Sequence, residues 1–137
     1  MSETITMAQY FYLEAPDRPG EAARLLGALR EAGVNLLALS GFPQGRRAQV
    51  DLVPEDPARL RAVARRHGWK LTGPKRVFRI TGEDRVGAMA EVAEKLAAAK
   101  INIVATQAVA TGPGVFGALL WVPPADVRRA ARALGAT

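Results

Sequence analysis

The stretch Glu14-Ala-Pro-Asp-Arg-Pro-Gly20 decides the fold, because it returns 67 residues later as Thr81-Gly-Glu-Asp-Arg-Val-Gly87. At this offset residues 8–38 hold nine identical pairs, against roughly two expected from ordinary composition. Several of the remaining pairs exchange one aliphatic residue for another, namely Leu13/Ile80, Leu25/Val92, Val34/Ile101, Leu36/Ile103 and Leu37/Val104. The chain is therefore one small module written twice. The identical pairs are Phe11/Phe78, Asp17/Asp84, Arg18/Arg85, Gly20/Gly87, Ala23/Ala90, Leu29/Leu96, Ala32/Ala99, Asn35/Asn102 and Ala38/Ala105.

Each copy is predicted to follow the order β-α-β-β-α. In the first copy Pro19 suits the first turn of a helix and Gly33 suits its end, while Asp56 starts a second helix that Gly68 stops. The predicted strands of the first copy are Gln9–Glu14, Val34–Gly41, Ala48–Val53 and a short Trp69–Leu71. The second copy is predicted to have strands Arg76–Ile80, Ile101–Ala110 and Val115–Val122, with helices Arg85–Ala99 and Pro123–Leu134.

This order predicts an α+β fold of two ferredoxin-like (βαββαβ) modules in tandem, with antiparallel sheets and the helices on one face. The first module spans residues 8–72 and the second spans residues 75–135. We expect the two copies to share one continuous core. Four apolar helix residues should be buried in it, and two arginines of the second helix should be exposed. The buried residues are Leu25, Leu29, Val92 and Leu96, and the exposed ones are Arg61 and Arg65.

The second module lacks its own last strand, because the sequence has no counterpart to Trp69–Leu71 before Thr137. Its first strand, Arg76–Ile80, would then be a bare sheet edge, which natural proteins tend to cover. We expect the N-terminal extension, a partner chain or the other copy to pair there, and a homodimer is the favoured outcome.

The composition is that of an ordinary globular domain, with 49% hydrophobic and 23% charged residues among 137. No apolar run approaches the roughly 18 residues of a membrane span, and the N-terminus does not resemble a secretory signal. The sequence has no cysteine, which excludes disulfides, thiolate metal sites and a cysteine nucleophile. We therefore expect no membrane association and a cytoplasmic location.

The net charge of +6 is spread over both halves of the chain rather than gathered in a tail. The densest cluster comprises Arg59, Arg61, Arg65, Arg66 and Lys70. At helical spacing these residues line the outer face of one helix, so a solvated basic face is favoured over a phosphate-binding stripe.

The turn, the helix that follows it and Glu31-Ala-Gly-Val-Asn-Leu36 together resemble an ACT domain. Gly82-Glu-Asp-Arg-Val-Gly87 and Ala99-Lys-Ile-Asn-Ile103 repeat the pattern, with Val86 in place of proline. The resemblance covers about residues 8–135. It implies a non-catalytic regulatory protein that binds an amino acid or related metabolite, forms a homodimer and acts on a regulated metabolic enzyme.

The chemistry of the turn fits that role. A helix N-terminus offers unpaired N–H groups to a carboxylate, Asp17 can accept hydrogen bonds from an ammonium, and Asn35 can meet both ionic ends of an amino acid. The resemblance implies ligand-binding residues in both copies. These are Asp17, Arg18, Pro19, Gly20, Asn35 and Leu36 in the first copy, and Asp84, Arg85, Gly87 and Asn102 in the second.

Structural explanations compete with these roles. The aspartates of the two turns would serve as helix caps, the glycines would allow close packing of helix on sheet, and the asparagines would organise the turn after the helix. If the turns do bind a ligand, we expect the first to bind it better. Pro19 pre-organises its helical turn, whereas the second copy has Val86 there and Lys100 in place of Gly33.

No other constellation points to chemistry. His67 is the only histidine, so a histidine metal cluster is excluded, and no Ser/His/Asp set is evident. We therefore expect no metal, no cofactor and no catalytic residue. Ferredoxin-like sheets also bind RNA, which is the alternative function. The predicted strand Ala48–Val53 has no aromatic residue for base stacking, so nucleic-acid binding is disfavoured.

Overall fold

The computed structural model describes residues 3–137 and is α+β, with six strands and four α-helices in this part of the chain. The first and third, second and third, fourth and sixth, and fifth and sixth strands pair antiparallel. This confirms the predicted fold class. In chain order the elements are β1 (Thr4–Pro16), α1 (Glu21–Glu31), β2 (Leu36–Gln44), β3 (Arg47–Pro54), α2 (Pro57–His67), β4 (Thr72–Glu83), α3 (Ala88–Ala98), β5 (Ala105–Ala110), β6 (Val115–Trp121), a 3-10 turn (Pro124–Asp126) and α4 (Val127–Leu134).

The chain divides into two units, and its two long strands run through both. The first-repeat unit is Gln9–Lys75, and the second-repeat unit combines the N-terminal residues through Ala8 with Arg76–Thr137. Strand order is β2-β3-β1-β4 in the first-repeat unit and β1-β4-β6-β5 in the second-repeat unit. Helix α1 contacts α2, and α3 contacts α4. Each unit is thus a four-stranded layer with its own pair of helices.

The fourth strand of each unit differs from the prediction. Residues 69–71 are not a strand, since β4 begins at Thr72 and its first residues serve the first-repeat unit. In the second-repeat unit the N-terminal part of β1 takes the place of the missing strand. The Met7 N–H donates to the Thr137 carbonyl (2.9 Å) and the Thr137 N–H donates to the Ile5 carbonyl (3.0 Å). Strand β1 also lies next to β4 in the sheet, so the N-terminal extension covers the edge of Arg76–Ile80, which removes the reason given above for a dimer.

Local chemistry sets the helix ends. The Asp56 carboxylate caps α2 by accepting the Ala58 N–H (3.1 Å), and Gly68 ends the helix in the left-handed region at φ 68°. Gly33 follows α1 at φ 72°, and Lys100 follows α3 at φ 59° although it carries a side chain. Helix α3 begins at Ala88 rather than at the predicted Arg85, because Gly87 adopts φ 82°.

The buried apolar side chains form two clusters, one in each unit, where the sequence predicted one continuous core. Leu25 and Leu29 lie in the cluster of the first-repeat unit, and Val92 and Leu96 lie in the other. All four are buried as predicted, and the two arginines expected to be exposed, Arg61 and Arg65, are exposed.

Candidate functional site

The first turn, Pro16–Gly20, joins β1 to α1 and is held by its own backbone. The Arg18 N–H donates to the Pro16 carbonyl (3.1 Å) and the Glu21 N–H donates to the Arg18 carbonyl (3.4 Å). Gly20 is the residue before the helix and adopts φ 91°, in the left-handed region that favours glycine. Asp17, Arg18 and Pro19 are all exposed. The turn therefore presents its polar side chains to solvent.

Two of the structural explanations for the turn residues are wrong. Within residues 3–137 no side chain caps α1 or α3, so neither Asp17 nor Asp84 is a helix cap. A Cβ atom added at Gly20 or Gly87 would meet nothing within 4 Å, so these glycines do not serve close helix–sheet packing. They are required by the backbone conformation instead. The N–H groups of Glu21 and Ala88 donate to the Arg18 and Arg85 carbonyls, and no described side chain caps the N–H groups that follow them, as an incoming carboxylate requires.

The charges at the first turn form a local chain. Glu21 accepts from the Arg18 Nε (3.2 Å) and from the Arg24 Nη2 (2.7 Å). The hydrogen bond from Arg24, with a smaller contribution from Arg18, holds the pKa of Glu21 below its usual value. Arg18 remains 68% exposed. Its guanidinium therefore still has donors available for an anion.

The second turn is tied to the N-terminus. Arg85 donates to the Glu3 carboxylate (3.1 Å) and also to Glu91. These two carboxylates raise the pKa of Arg85, Glu91 more strongly, and the bond from Arg85 lowers the pKa of Glu91. The Glu3 side chain is only 3% exposed. Arg85 is therefore paired with two carboxylates. Arg18 in the first turn is paired with one, that of Glu21.

A cavity of about 320 Å³ lies at the second turn. Its wall joins the turn and the start of α3 to the end of the edge strand β5, and it brings together one carboxylate, one guanidinium and helix N–H groups. Such a set can hold a ligand that carries both charges. The lining residues are Asp84, Arg85, Gly87, Ala88, Met89, Ala90, Ala108, Val109, Ala110 and Phe116.

The asparagines lie far from the turn of their own repeat. Pro16 pairs with Arg47 at one end of β3, whereas Leu36, next to Asn35, pairs with Pro54 at the other end. The seven steps between these β3 residues span about 23 Å. One small ligand therefore cannot contact Asn35 and Asp17 of the same repeat, and the binding roles of both residues stay predictions.

The second repeat has the same arrangement. Glu83, next to the turn, pairs with Val115, and Ala105, which follows Asn102 by three residues, pairs with Trp121 at the other end of β6. Both asparagines are exposed. The Asn35 carbonyl accepts the Glu55 N–H (2.9 Å), and Leu36 is half-buried against the core of its unit. The Asn35 backbone thus joins the start of β2 to the residue that follows β3.

The sequence interpretation missed Glu3, Met89 and the Ala108–Ala110 wall. Glu3 is 82 residues away from the arginine it pairs with, and no local pattern signals such a contact. Among residues 3–137 no group of three or more His, Cys, Asp or Glu residues is placed to hold a metal ion. Nor does that part of the chain contain a helix long and apolar enough to span a membrane.

Comparisons with known proteins agree with this fold. Residues 10–67 match the family model of the ACT domain. The whole chain is similar to protein BT0572 from Bacteroides thetaiotaomicron, with a TM-score of 0.81 and 17% identity over 96% of this chain and 88% of that one. No curated protein sequence matches the chain.

Two further structures are similar over 98% of this chain and 95% of theirs. The regulatory subunit of aspartate kinase from Thermus thermophilus, in its ligand-free form, has a TM-score of 0.62 at 20% identity. A structure of aspartokinase alpha and beta subunits has a TM-score of 0.66 at 20% identity. At these identities the likeness establishes the fold.

Proposed function

We propose, from the premise that residues 10–67 form an ACT domain, that this protein is a non-catalytic sensor of an amino acid or related small metabolite. ACT-like regulatory modules of this fold include the regulatory subunit of aspartate kinase from Thermus thermophilus. The observation that carries the proposal is shared by both turns. In each, a left-handed glycine precedes a helix whose first N–H groups no side chain caps, and an exposed aspartate and an arginine lie beside it.

The two charges of an amino acid match this arrangement. The ligand carboxylate binds the N–H groups at the start of the helix and the arginine, and its ammonium binds the aspartate. In the second turn the cavity of about 320 Å³ leaves room for a small side chain against Ala108 and Phe116. In the first turn Asp17 and Arg18 have the same roles.

In this proposal Asn35 and Asn102 contact the ligand only when two copies of the chain assemble. Since each lies at the opposite end of its own unit, it reaches a ligand only when a second copy of the chain supplies it. The edge strands favour such a homodimer, because both carry exposed large apolar residues. These are Leu37, Leu39 and Phe42 on β2, and Val109 on β5 with Val104 just before it. A metabolic enzyme is the proposed target of regulation.

We propose that the first turn binds more tightly. Arg85 already pairs with two carboxylates, which a ligand would have to displace, whereas Arg18 pairs only with Glu21. Pro19 also fixes φ in the first turn, which reduces the entropy lost on binding.

A panel of amino acids, screened by thermal stabilisation and then titrated by calorimetry, tests this function. Asp17→Ala should lose about 1.5–3 kcal/mol of binding free energy, or tenfold to over a hundredfold in affinity, and Asp84→Ala should lose less. Glu94→Ala is the control, since it removes an exposed carboxylate elsewhere on α3. If no amino acid stabilises the protein, the proposed function is wrong. If Asp84→Ala loses as much as Asp17→Ala, the ranking is wrong.

A further inference from the structure

A second cavity, of about 250 Å³, lies beside α2 in the first-repeat unit and shares no residue with either turn. We call it the α2 cleft. It is lined by Phe11, Arg61, Ala64, Arg65, Trp69, Leu71 and Gly73. Four of the seven are aromatic or aliphatic, both charged groups are arginines, and most of the exposed lining is polar. Because Phe11 and Ala64 are buried, the α2 cleft places a small apolar patch, Trp69 and Leu71, beside two cationic groups.

Close backbone packing builds the floor of the cleft. A Cβ atom on Gly73 would lie 2.9 Å from the Phe11 Cδ2 and 2.9 Å from the Tyr10 carbonyl oxygen, so only glycine fits there. The backbone N–H of Trp69 donates to the Ala64 carbonyl (2.9 Å) and holds the residue at the rim. The His67 ring stacks on the Trp69 ring, with 5.1 Å between centroids. The aromatic wall is therefore fixed by the fold before any ligand arrives.

The arginines of the cleft have no acidic partner. Arg61 lies over the Phe11 ring, 5.3 Å from its centroid, and within residues 3–137 neither Arg61 nor Arg65 forms a salt bridge. The two are one helical turn apart, so their like charges repel. Helix α2 contains no acidic residue that would offset this repulsion. An anion bound between the two guanidinium groups would remove it, because arginine presents several donors to one carboxylate or phosphate.

We propose that the α2 cleft is a second ligand site, specific for a small anion attached to a planar apolar group, such as an aromatic carboxylate or aromatic phosphate ester. The planar group lies against Trp69 and Leu71, and the anionic group lies between Arg61 and Arg65. The cavity is smaller than the roughly 300–1,000 Å³ of pockets for drug-sized ligands, which favours a single-ring compound. This site is independent of the amino-acid site proposed for the turns.

Calorimetric titration of the full chain with benzoate, phenyl phosphate, inorganic phosphate and benzyl alcohol tests the proposal. The two ring anions should bind more tightly than inorganic phosphate, which lacks the ring, and than benzyl alcohol, which lacks the charge. The stronger of the two ring anions identifies the anionic group that the arginines prefer.

Arg65→Gln should weaken binding of the ring anions at least tenfold, the loss expected for one charge-assisted contact. Arg66→Gln is the matched control, because it removes an equal charge from the next position of α2 and does not line the cleft; its affinity should stay within twofold. Thermal unfolding of both variants verifies that they fold. Asp17→Ala should leave this binding unchanged, which separates the site from the turns.

Three results would overturn the proposal. The first is no binding of benzoate or phenyl phosphate at millimolar concentration by the folded wild-type chain. The second is benzyl alcohol binding as tightly as benzoate. The third is an equal loss of affinity for the ring anions in Arg65→Gln and Arg66→Gln, together with binding of a single-stranded RNA oligomer that is tighter than that of the ring anions and strongly salt-dependent. That result would identify α2 as a nucleic-acid surface.

Discussion

Gly20→Ala tests whether the left-handed residue before α1 is an obligate part of the turn. At φ 91° a residue with a Cβ atom is strained, at a cost of about 1–2 kcal/mol. No atom lies within 4 Å of the added Cβ, so the cost is purely conformational. Alanine also reduces the entropy of the unfolded chain, which offsets about 0.4–1 kcal/mol. We expect a net loss of about 1 kcal/mol in the free energy of unfolding.

Gly27→Ala is the matched control, seven positions later in the interior of α1. Its Cβ would also meet nothing within 4 Å, and its φ is ordinary. Here alanine should stabilise the helix by about 1 kcal/mol, so the two variants should differ by about 2 kcal/mol in urea unfolding. With 137 residues unfolding together, 1 kcal/mol moves Tm by about 3–4 °C. Equal shifts in the same direction would refute the left-handed turn, and with it the orientation of the helix N–H groups.

Three further predictions follow from buried and paired groups. Burial raises the pKa of the Asp51 carboxyl. The free energy of unfolding of the protein therefore falls as pH rises from about 3.9, the usual pKa of an aspartate, through the raised pKa. Asp51→Asn should therefore have a higher Tm than the wild type at neutral pH and lose that advantage below about pH 4; a lower Tm at pH 7 would contradict this. Glu3→Gln removes one of the two carboxylates paired with Arg85 and should speed amide hydrogen exchange at Met7 and Thr137, whereas Glu94→Gln should not. Treatment with a chelator should change neither Tm nor ligand binding.

Much of the fold is readable from the sequence because the helix ends depend on local chemistry. Asp56 and Gly68 bound α2 as their residue types predict, through a carboxylate that accepts helix N–H groups and a left-handed glycine. The repeat then doubles the evidence for every apolar position that the two copies share. Leu29 and Leu96, for example, are identical at the offset and are both buried.

Strand partners were harder to predict, because they depend on contacts between distant segments. The pattern around Trp69–Leu71 is apolar enough for a strand, yet pairing begins only at Thr72. The segment Thr4–Ala8 contains no repeat signal, although it completes the second-repeat unit. The hydrogen bonds of Thr137 to Ile5 and Met7 join the two ends of the chain, which no window of local sequence contains.

The candidate site was predicted only in part for a related reason. Asp17 and Asn35 are 18 positions apart, and the resemblance to ACT domains implies ligand binding by both. The helix between them has 11 residues and is about 16 Å long, which carries the asparagine to the other end of the unit. A residue type in a motif therefore predicts a chemical role. The direction of the intervening helix decides which residues lie close enough to contact the same ligand.

The two turns show how far a repeat can preserve a motif while changing its electrostatics. Arg18 and Arg85 are identical at the offset, but Arg18 pairs three residues ahead with Glu21, whereas Arg85 pairs with Glu91 and with Glu3 from the N-terminal segment. The residues before the corresponding strand in the first-repeat unit are 69–71, Trp-Lys-Leu, and none of them is acidic. Among the residues that the structure describes, Arg18 therefore has no long-range carboxylate to neutralise it. A ligand carboxylate meets a partly open cation at the first turn and a doubly paired one at the second, so identical residues would bind the same ligand with unequal affinity.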